Sequence, residues 1–282
     1  MQNEVDSMKR KEYGQPLVLP PYKGRILSDY DHPRFVEAIS DCQRLLDEPK
    51  TEILLESRNR VGAVVISLGE KEKADVVIKE FRTRGVNRLK SLFLRGKALK
   101  SWQGGMALAE MGIDTPTPVA YLEKRRGPFL DQSFFLTERV YGVEEIRFLF
   151  RNLPHSELRE LLALIGQHLF LCHYKGVLHR DLSDGNILVK KEGSGAFRFF
   201  LIDTNRVRIK DRISRLRGIK NLIRLGVPSE LQRYFLEQYL GEARLTGWVW
   251  FWYRFNKVVY SSYVELKKKL RLRKVARKLK IQ

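Results

Sequence analysis

Apolar residues fall into two successive patterns along the chain. From Thr51, the segments Glu52 to Leu55, Val61 to Leu68 and Ala74 to Phe81 are rich in β-branched residues. Polar turns at Ser57 to Arg60 and Gly69 to Lys73 separate them, which predicts a three-stranded antiparallel meander. A basic helical stretch from Leu89 to Met111 is expected to end at Gly112, ahead of a turn at Pro116 and Pro118, with further strands at Val119 to Glu123 and Phe134 to Arg139. After Tyr141 the spacing becomes helical. Leu158, Leu161, Leu162, Ile165, Leu169 and Cys172 recur on one face of a helix with Ser156 as its expected N-cap. Before the meander, Pro16 to Pro21 reads as an irregular entry segment, and Arg34 to Leu46 as one short helix burying Phe35, Ala38, Ile39 and Leu45.

Composition narrows the class. A chain of 282 residues with 43% apolar content can fill a true core. Its 53 basic and 33 acidic side chains give a net charge of +20, which points to an anionic partner. Cys42 and Cys172 have no zinc-ligand spacing, and a reducing cytosol suits them. The polar N-terminus does not read as a secretion signal, and no stretch approaches the roughly 20 apolar residues that span a bilayer, so a soluble or peripheral protein is expected.

The chemistry concentrates between Val177 and Val207. VLHRDLSDGNILV at Val177 to Val189 carries His179, Arg180, Asp181 and Asn186 at the H-R-D-x-x-x-x-N spacing of a phosphotransfer catalytic loop, and Asp203 follows on the next apolar strand. An aspartate at position 181 suits a proton acceptor beside an attacking hydroxyl, while Asn186 and Asp203 offer hard oxygen ligands for magnesium. Lys79, in VVIKEF on the third meander strand, is placed to neutralise nucleotide phosphates. His179 and Arg180 read as braces of the loop. His155, His168, His173 and both cysteines read as packing or surface residues.

These residues resemble the bacterial lipopolysaccharide core kinase family, the Kdo/heptose or WaaP-like branch of the protein-kinase-like superfamily. The likeness runs from about Glu52 to Tyr239 and includes GIDTPTPVA at Gly112 to Ala120, FFLTERV at Phe134 to Val140 and LIDTNRV at Leu201 to Val207. It implies a bilobal α+β fold, an N-lobe of antiparallel strands with one helix and a mainly helical C-lobe. It also implies transfer of the ATP γ-phosphoryl group, with magnesium, to a Kdo or heptose hydroxyl on a lipid A carrier. The backbone around Glu138 and Val140 would be similar to the adenine-binding hinge.

Two departures stand out. No G-x-G-x-x-G covers the first hairpin, where Ser57 to Arg60 and Gly62 stand instead, and the helix after Lys79 has no central acid to pair with it, Glu110 lying near its end. Nor is there an Ala-Pro-Glu segment to hold a peptide. After Asp203 the chain is expected to enter a basic helix with Ile213, Leu216, Ile219 and Ile223 on one face and Arg212, Arg215, Arg217, Lys220 and Arg224 on the other. An anionic glycolipid acceptor is therefore preferred over a protein, leaving an atypical serine/threonine protein kinase or a non-catalytic membrane scaffold as alternatives.

At the C-terminus the aromatic run Trp248 to Phe255 precedes Lys267 to Lys280. That pairing suits an anionic membrane surface, here the cytosolic face of the inner membrane, or equally a core helix with a basic tail. No RNA-binding signature accompanies it, and no nucleic-acid partner is expected. The expected organisation is an N-terminal extension (1–50), an N-lobe (51–140), a C-lobe (141–245) and the aromatic and basic segment (246–282).

Overall fold

The computed structural model describes residues 13–69, 72–82, 92, 95–193 and 196–278, with side chains described up to Leu270. It opens with a hairpin, β1 (Gln15–Leu19) and β2 (Tyr22–Ile26), where the sequence suggests an irregular segment. Pro16 is accommodated because β1 is the outermost strand of its sheet, where a missing amide is tolerated. The single helix expected over Arg34 to Leu46 is two, α1 (Pro33–Ile39) and α2 (Cys42–Asp47). Asp41 divides them by accepting the Arg44 amide at 3.0 Å as an N-cap.

The meander forms as expected from β3 (Glu52–Glu56), β4 (Arg60–Ser67) and β5 (Lys73–Glu80). The next helix, α3 (Lys97–Glu110), begins later than Leu89, and residues 89–91, 93 and 94 of that expectation lie outside those described. Its C-terminus is the expected glycine stop. Gly112 adopts φ 63°, its amide reaches Ala109 O, and the Ile113 amide reaches Leu108 O at 2.9 Å, closing the last carbonyls of the helix.

With β6 (Pro118–Arg126) and β7 (Phe129–Glu138), an antiparallel seven-stranded sheet is complete in the order β1-β2-β6-β7-β5-β4-β3. Strand alternation gives it two different faces. Val76, Ile78 and Leu136 bury against Phe35, Ile39 and Leu46 of α1 and α2. Phe81 and Phe135 pack on the opposite side with Ala98 and Trp102 of α3.

The chain then crosses into a second, mainly helical core through β8 (Val143–Glu145), α4 (Ile146–Asn152) and α5 (His155–Tyr174). Pro154, not Ser156, holds the N-cap position of α5. The expected apolar face, Leu158 to Cys172, is buried. Four short strands carry the catalytic-loop region: β9 (Val177–His179), β10 (Ile187–Glu192), β11 (Ala196–Leu201) and β12 (Val207–Ile209). They pair as β11-β10-β8 and β12-β9.

Three helices finish the lobe: α6 (Arg215–Leu222), α7 (Gln232–Leu240) and α8 (Gly247–Lys278). Helix α6 does not follow Asp203 directly, since β12 intervenes, and it buries Gly218, Ile219 and Leu222 while Leu216 is exposed. The result is the expected bilobal α+β fold, with one core in the C-lobe and a cluster on each face of the N-lobe sheet.

Candidate active site

Lys79 sits inside the sheet, with β4 on one side and β7 on the other. Alternation turns it away from the Val76 and Ile78 face. Its Nζ donates to Asp203 Oδ1 at 2.7 Å, which supplies the partner that the helix does not. Glu110 is engaged elsewhere, accepting the Tyr13 hydroxyl at 2.8 Å.

Asp203 is, among the described residues, the non-glycine residue with positive φ, at φ 58° and ψ 45°. A left-handed conformation costs an L-residue about 1–2 kcal/mol, and the surroundings hold it in place. The chain turns there into a 3-10 segment, Thr204–Arg206, whose buried Thr204 hydroxyl donates to Ser101 O at 2.7 Å. Gly104 of α3 makes that approach possible, because a Cβ on it would lie 2.2 Å from Thr204 O. Burial raises the Asp203 pKa, but the Lys79 ammonium beside it, with Arg206, outweighs burial and holds the carboxyl below the ordinary aspartate value.

The catalytic loop is braced from below. His179 is buried, and its Nε2 donates to Ile202 O at 2.9 Å, so Nδ1 is left to accept the Asp181 amide at 3.3 Å. Burial lowers the pKa of this ring, in keeping with a neutral imidazole. Asn186 donates to Asp181 O at 2.7 Å, and the Ile202 amide returns to Asn186 O at 3.0 Å, tying the loop to the strand that ends at Asp203.

The Asp181 carboxylate itself faces two arginines: Arg206 Nε at 3.4 Å and Arg224, in direct ion-pair contact. Arg224 follows α6 and lies over the Tyr260 ring of α8.

A cavity of about 380 Å³ opens beside Asp203. It is lined by Arg58 and Asn59 from the β3–β4 turn, Lys97 and Lys100 from α3, and Arg180, Asn205, Arg206 and Arg208. The structure thus gathers Lys79, Asp181, Asn186 and Asp203 around one loop. Glu138 and Val140 stand apart at the end of β7, where the chain leaves the sheet. The Glu138 carboxylate accepts the Tyr30 hydroxyl at 2.6 Å and its amide donates to Thr117 O at 2.8 Å.

The donor set fits magnesium. Asn186 and an ionised Asp203 supply hard oxygens, and this cation takes one or two protein ligands with substrate phosphates completing its shell. Among the described residues no cluster of three His, Cys, Asp or Glu competes for a metal.

The model of the lipopolysaccharide kinase (Kdo/WaaP) family matches residues 87–238, more than half of the chain. The chain belongs to this family. It is also 28% identical over 122 residues to the lipopolysaccharide core heptose(I) kinase WaaP of Pseudomonas aeruginosa, a match covering 40% of this chain and 46% of that protein. The chain therefore spans about half the length of the curated relative it matches. A solved structure of WaaP in complex with acyl carrier protein has the same fold, with a TM-score of 0.50 and 21% identity over 77% of this chain and 92% of that one.

Sequence patterns did not reveal Lys97, Lys100 and Arg208 at the cavity, because a lysine in a basic helix gives no sign of which face meets a cleft. Arg224 reads in the sequence only as part of a basic helix face, and Arg206 gives no sign, until folding brings both to Asp181.

Proposed function

We propose that the chain transfers the γ-phosphoryl group of ATP to a Kdo or heptose hydroxyl of the lipopolysaccharide inner core. The observation that carries this reading is the convergence of Lys79, Asp203, Asn186 and Asp181 in a member of a lipopolysaccharide kinase family.

In this reading Lys79 neutralises nucleotide phosphates, and Asp203 and Asn186 hold magnesium, which when bound offsets charge on the transferred phosphoryl group. Arg58 and Asn59 cover the phosphates in place of a glycine-rich loop. The backbone of Glu138 and Val140 receives adenine. Asp181 accepts the proton of the attacking hydroxyl once its carboxylate is released from Arg206 and Arg224, and His179 fixes the loop that presents it.

The acceptor is membrane-anchored, and the C-terminal helix supports a peripheral position on the cytosolic face of an anionic membrane. No described helix is long and apolar enough to cross a bilayer. On α8, however, Trp248, Phe251, Phe255, Val259, Leu266 and Leu270 are exposed at every third or fourth to seventh position, beside Lys267 and Lys269.

The decisive assay is transfer from γ-labelled ATP with magnesium to core-truncated lipopolysaccharide and, separately, to a mixed protein extract. Label is expected in the glycolipid with wild type, and to fall by about 10²–10⁴-fold with Asp181→Ala. Label in protein alone would replace this reading with a protein kinase, and label in neither would leave a non-catalytic scaffold.

A further inference from the structure

The cavity beside Asp203 holds more positive charge than one nucleotide explains. Six cations line it, Arg58, Lys97, Lys100, Arg180, Arg206 and Arg208, and among the described lining residues Asp203 is the acid, already paired with Lys79. Arg58 belongs to the turn over the proposed nucleotide phosphates. The others come from α3, the catalytic loop, the 3-10 segment and β12.

Two of those cations are placed against local electrostatics. Lys97 and Lys100 occupy the first turn of α3, the end where a helix disfavours positive charge, and that turn contains no acid. Glu123 of β6 reaches in to accept the Leu99 amide at 3.3 Å and supplies one nearby negative charge. Burial, then Arg58, lowers the Lys97 pKa, and burial, then Arg208, lowers that of Lys100. Lysines held at a positive helix end, half-buried and beside arginines, gain most from a bound anion.

We infer that Lys100, Arg180, Arg206 and Arg208 form a second anion subsite, separate from the nucleotide phosphates, that takes a phosphate monoester. A dianion suits four cations better than a single carboxylate charge, and guanidinium forks match its oxygens. Arg206 gives the site a consequence. It lines the cavity and also stands 3.4 Å from Asp181, so an anion that recruits Arg206 loosens one of the two guanidiniums on that carboxylate. The source of the phosphate is a phosphorylated sugar of the acceptor, a clause that rests on the sugar-kinase reading, whereas the subsite does not.

The test uses the full chain saturated with ADP and magnesium, titrated with inorganic phosphate against sodium chloride of equal ionic strength while thermal melting is followed. Wild type is expected to show a saturable rise in Tm with phosphate alone. Lys100→Gln combined with Arg208→Gln is expected to lose that rise and keep the rise produced by ADP, which shows that the variant folds. An equal phosphate response in the double variant, or loss of the wild-type response once ADP is bound, would overturn the subsite.

A second arm compares phosphatase-treated with untreated glycolipid. Treatment should raise KM about tenfold for wild type and leave the double variant unmoved, the size expected from losing charge-assisted hydrogen bonds. An unchanged wild-type KM would overturn the acceptor as the source. Absence of transfer to any glycolipid would sink the kinase reading, while the melting arm still judges the subsite.

Discussion

Lys79 and Asp203 are 124 residues apart in the chain and 2.7 Å apart in the fold. Their contact crosses from the sheet of one lobe to the catalytic region of the other, and it orients the lysine without a helix glutamate. Only 21% and 24% of the two side chains is exposed, so each depends on the other to offset the loss of water around its charge. Lys79→Met should therefore lower Tm, because it leaves the Asp203 carboxylate without its counter-charge, and weaken nucleotide binding at least about tenfold. Titration with a fluorescent ATP analogue alongside a melting curve checks both halves, and unchanged nucleotide affinity would remove Lys79 from the site.

Helix α3 is held against the Asp203 turn by shape, not by an ion pair. The Thr204 hydroxyl bonds Ser101 O, and Gly104 leaves no room for a side chain against Thr204 O. Gly104→Val should push the helix from the turn at a cost of about 1–3 kcal/mol, the usual range for overpacking. Because that turn carries Asp203, magnesium-dependent nucleotide binding should fall further than the melting temperature suggests. Serine at the same position, with one fewer heavy atom, should give a smaller loss of both, and a valine variant with wild-type binding would show that α3 does not set the turn.

The residues of the catalytic loop were legible because they are contiguous. Asp181 and Asn186 lie five positions apart, and the backbone between them fixes their relation whatever the rest of the chain does. The meander was legible for a similar reason, since alternation in Ala74 to Phe81 is a local property. The Lys79 partner was not legible, because it comes from a distant strand end and not from the neighbouring helix. The β1–β2 hairpin was hidden by Pro16, which argues against a strand unless the strand is known to be an edge. The burial of α6 through Gly218 and Leu222, instead of Leu216, depends on where the α5, α7 and α8 helices stand, which periodicity alone does not encode.

Lys257 of α8 gives the C-lobe a pH-dependent element. Its Nζ donates to Ile223 O at 3.3 Å and to Leu225 O at 2.7 Å, on either side of the Arg224 that contacts Asp181. Burial lowers its pKa from 10.5 to about 8, with Asp184 opposing the shift and Arg254 adding to it. The unfolded chain then holds more protons than the folded one between these two values, so this group's contribution to stability rises with pH from about 8 toward 10.5. Wild type should gain stability relative to Lys257→Met across that window. Denaturant titrations of both at several pH values read the difference directly, and parallel curves would mean that Lys257 titrates as in water.

Helix α8 has two apolar faces with different fates. Val249 and Tyr253 are fully buried in the C-lobe core, whereas Phe251, Phe255 and Val259 are more than half exposed. An exposed aromatic row on a soluble surface costs solubility and gains nothing from folding, but it suits the headgroup boundary of a bilayer. The sequence continues it with nine basic residues and no acid between Lys267 and Lys280, which favours an anionic surface over a neutral one. The exposed stripe from Trp248 to Leu270 is about 33 Å long at 1.5 Å per residue. Phe251→Asp with Val259→Asp should abolish sedimentation with vesicles containing anionic phospholipid while leaving Tm and nucleotide affinity unchanged. Tyr253→Ala should instead cost about 3–5 kcal/mol of stability, as removal of a buried aromatic ring does. Vesicles of zwitterionic lipid alone should bind the wild type weakly. If the double aspartate variant binds anionic vesicles as well as wild type does, the stripe has another occupant, and a change from dimer to monomer in sedimentation velocity would identify that occupant as a second copy of the chain.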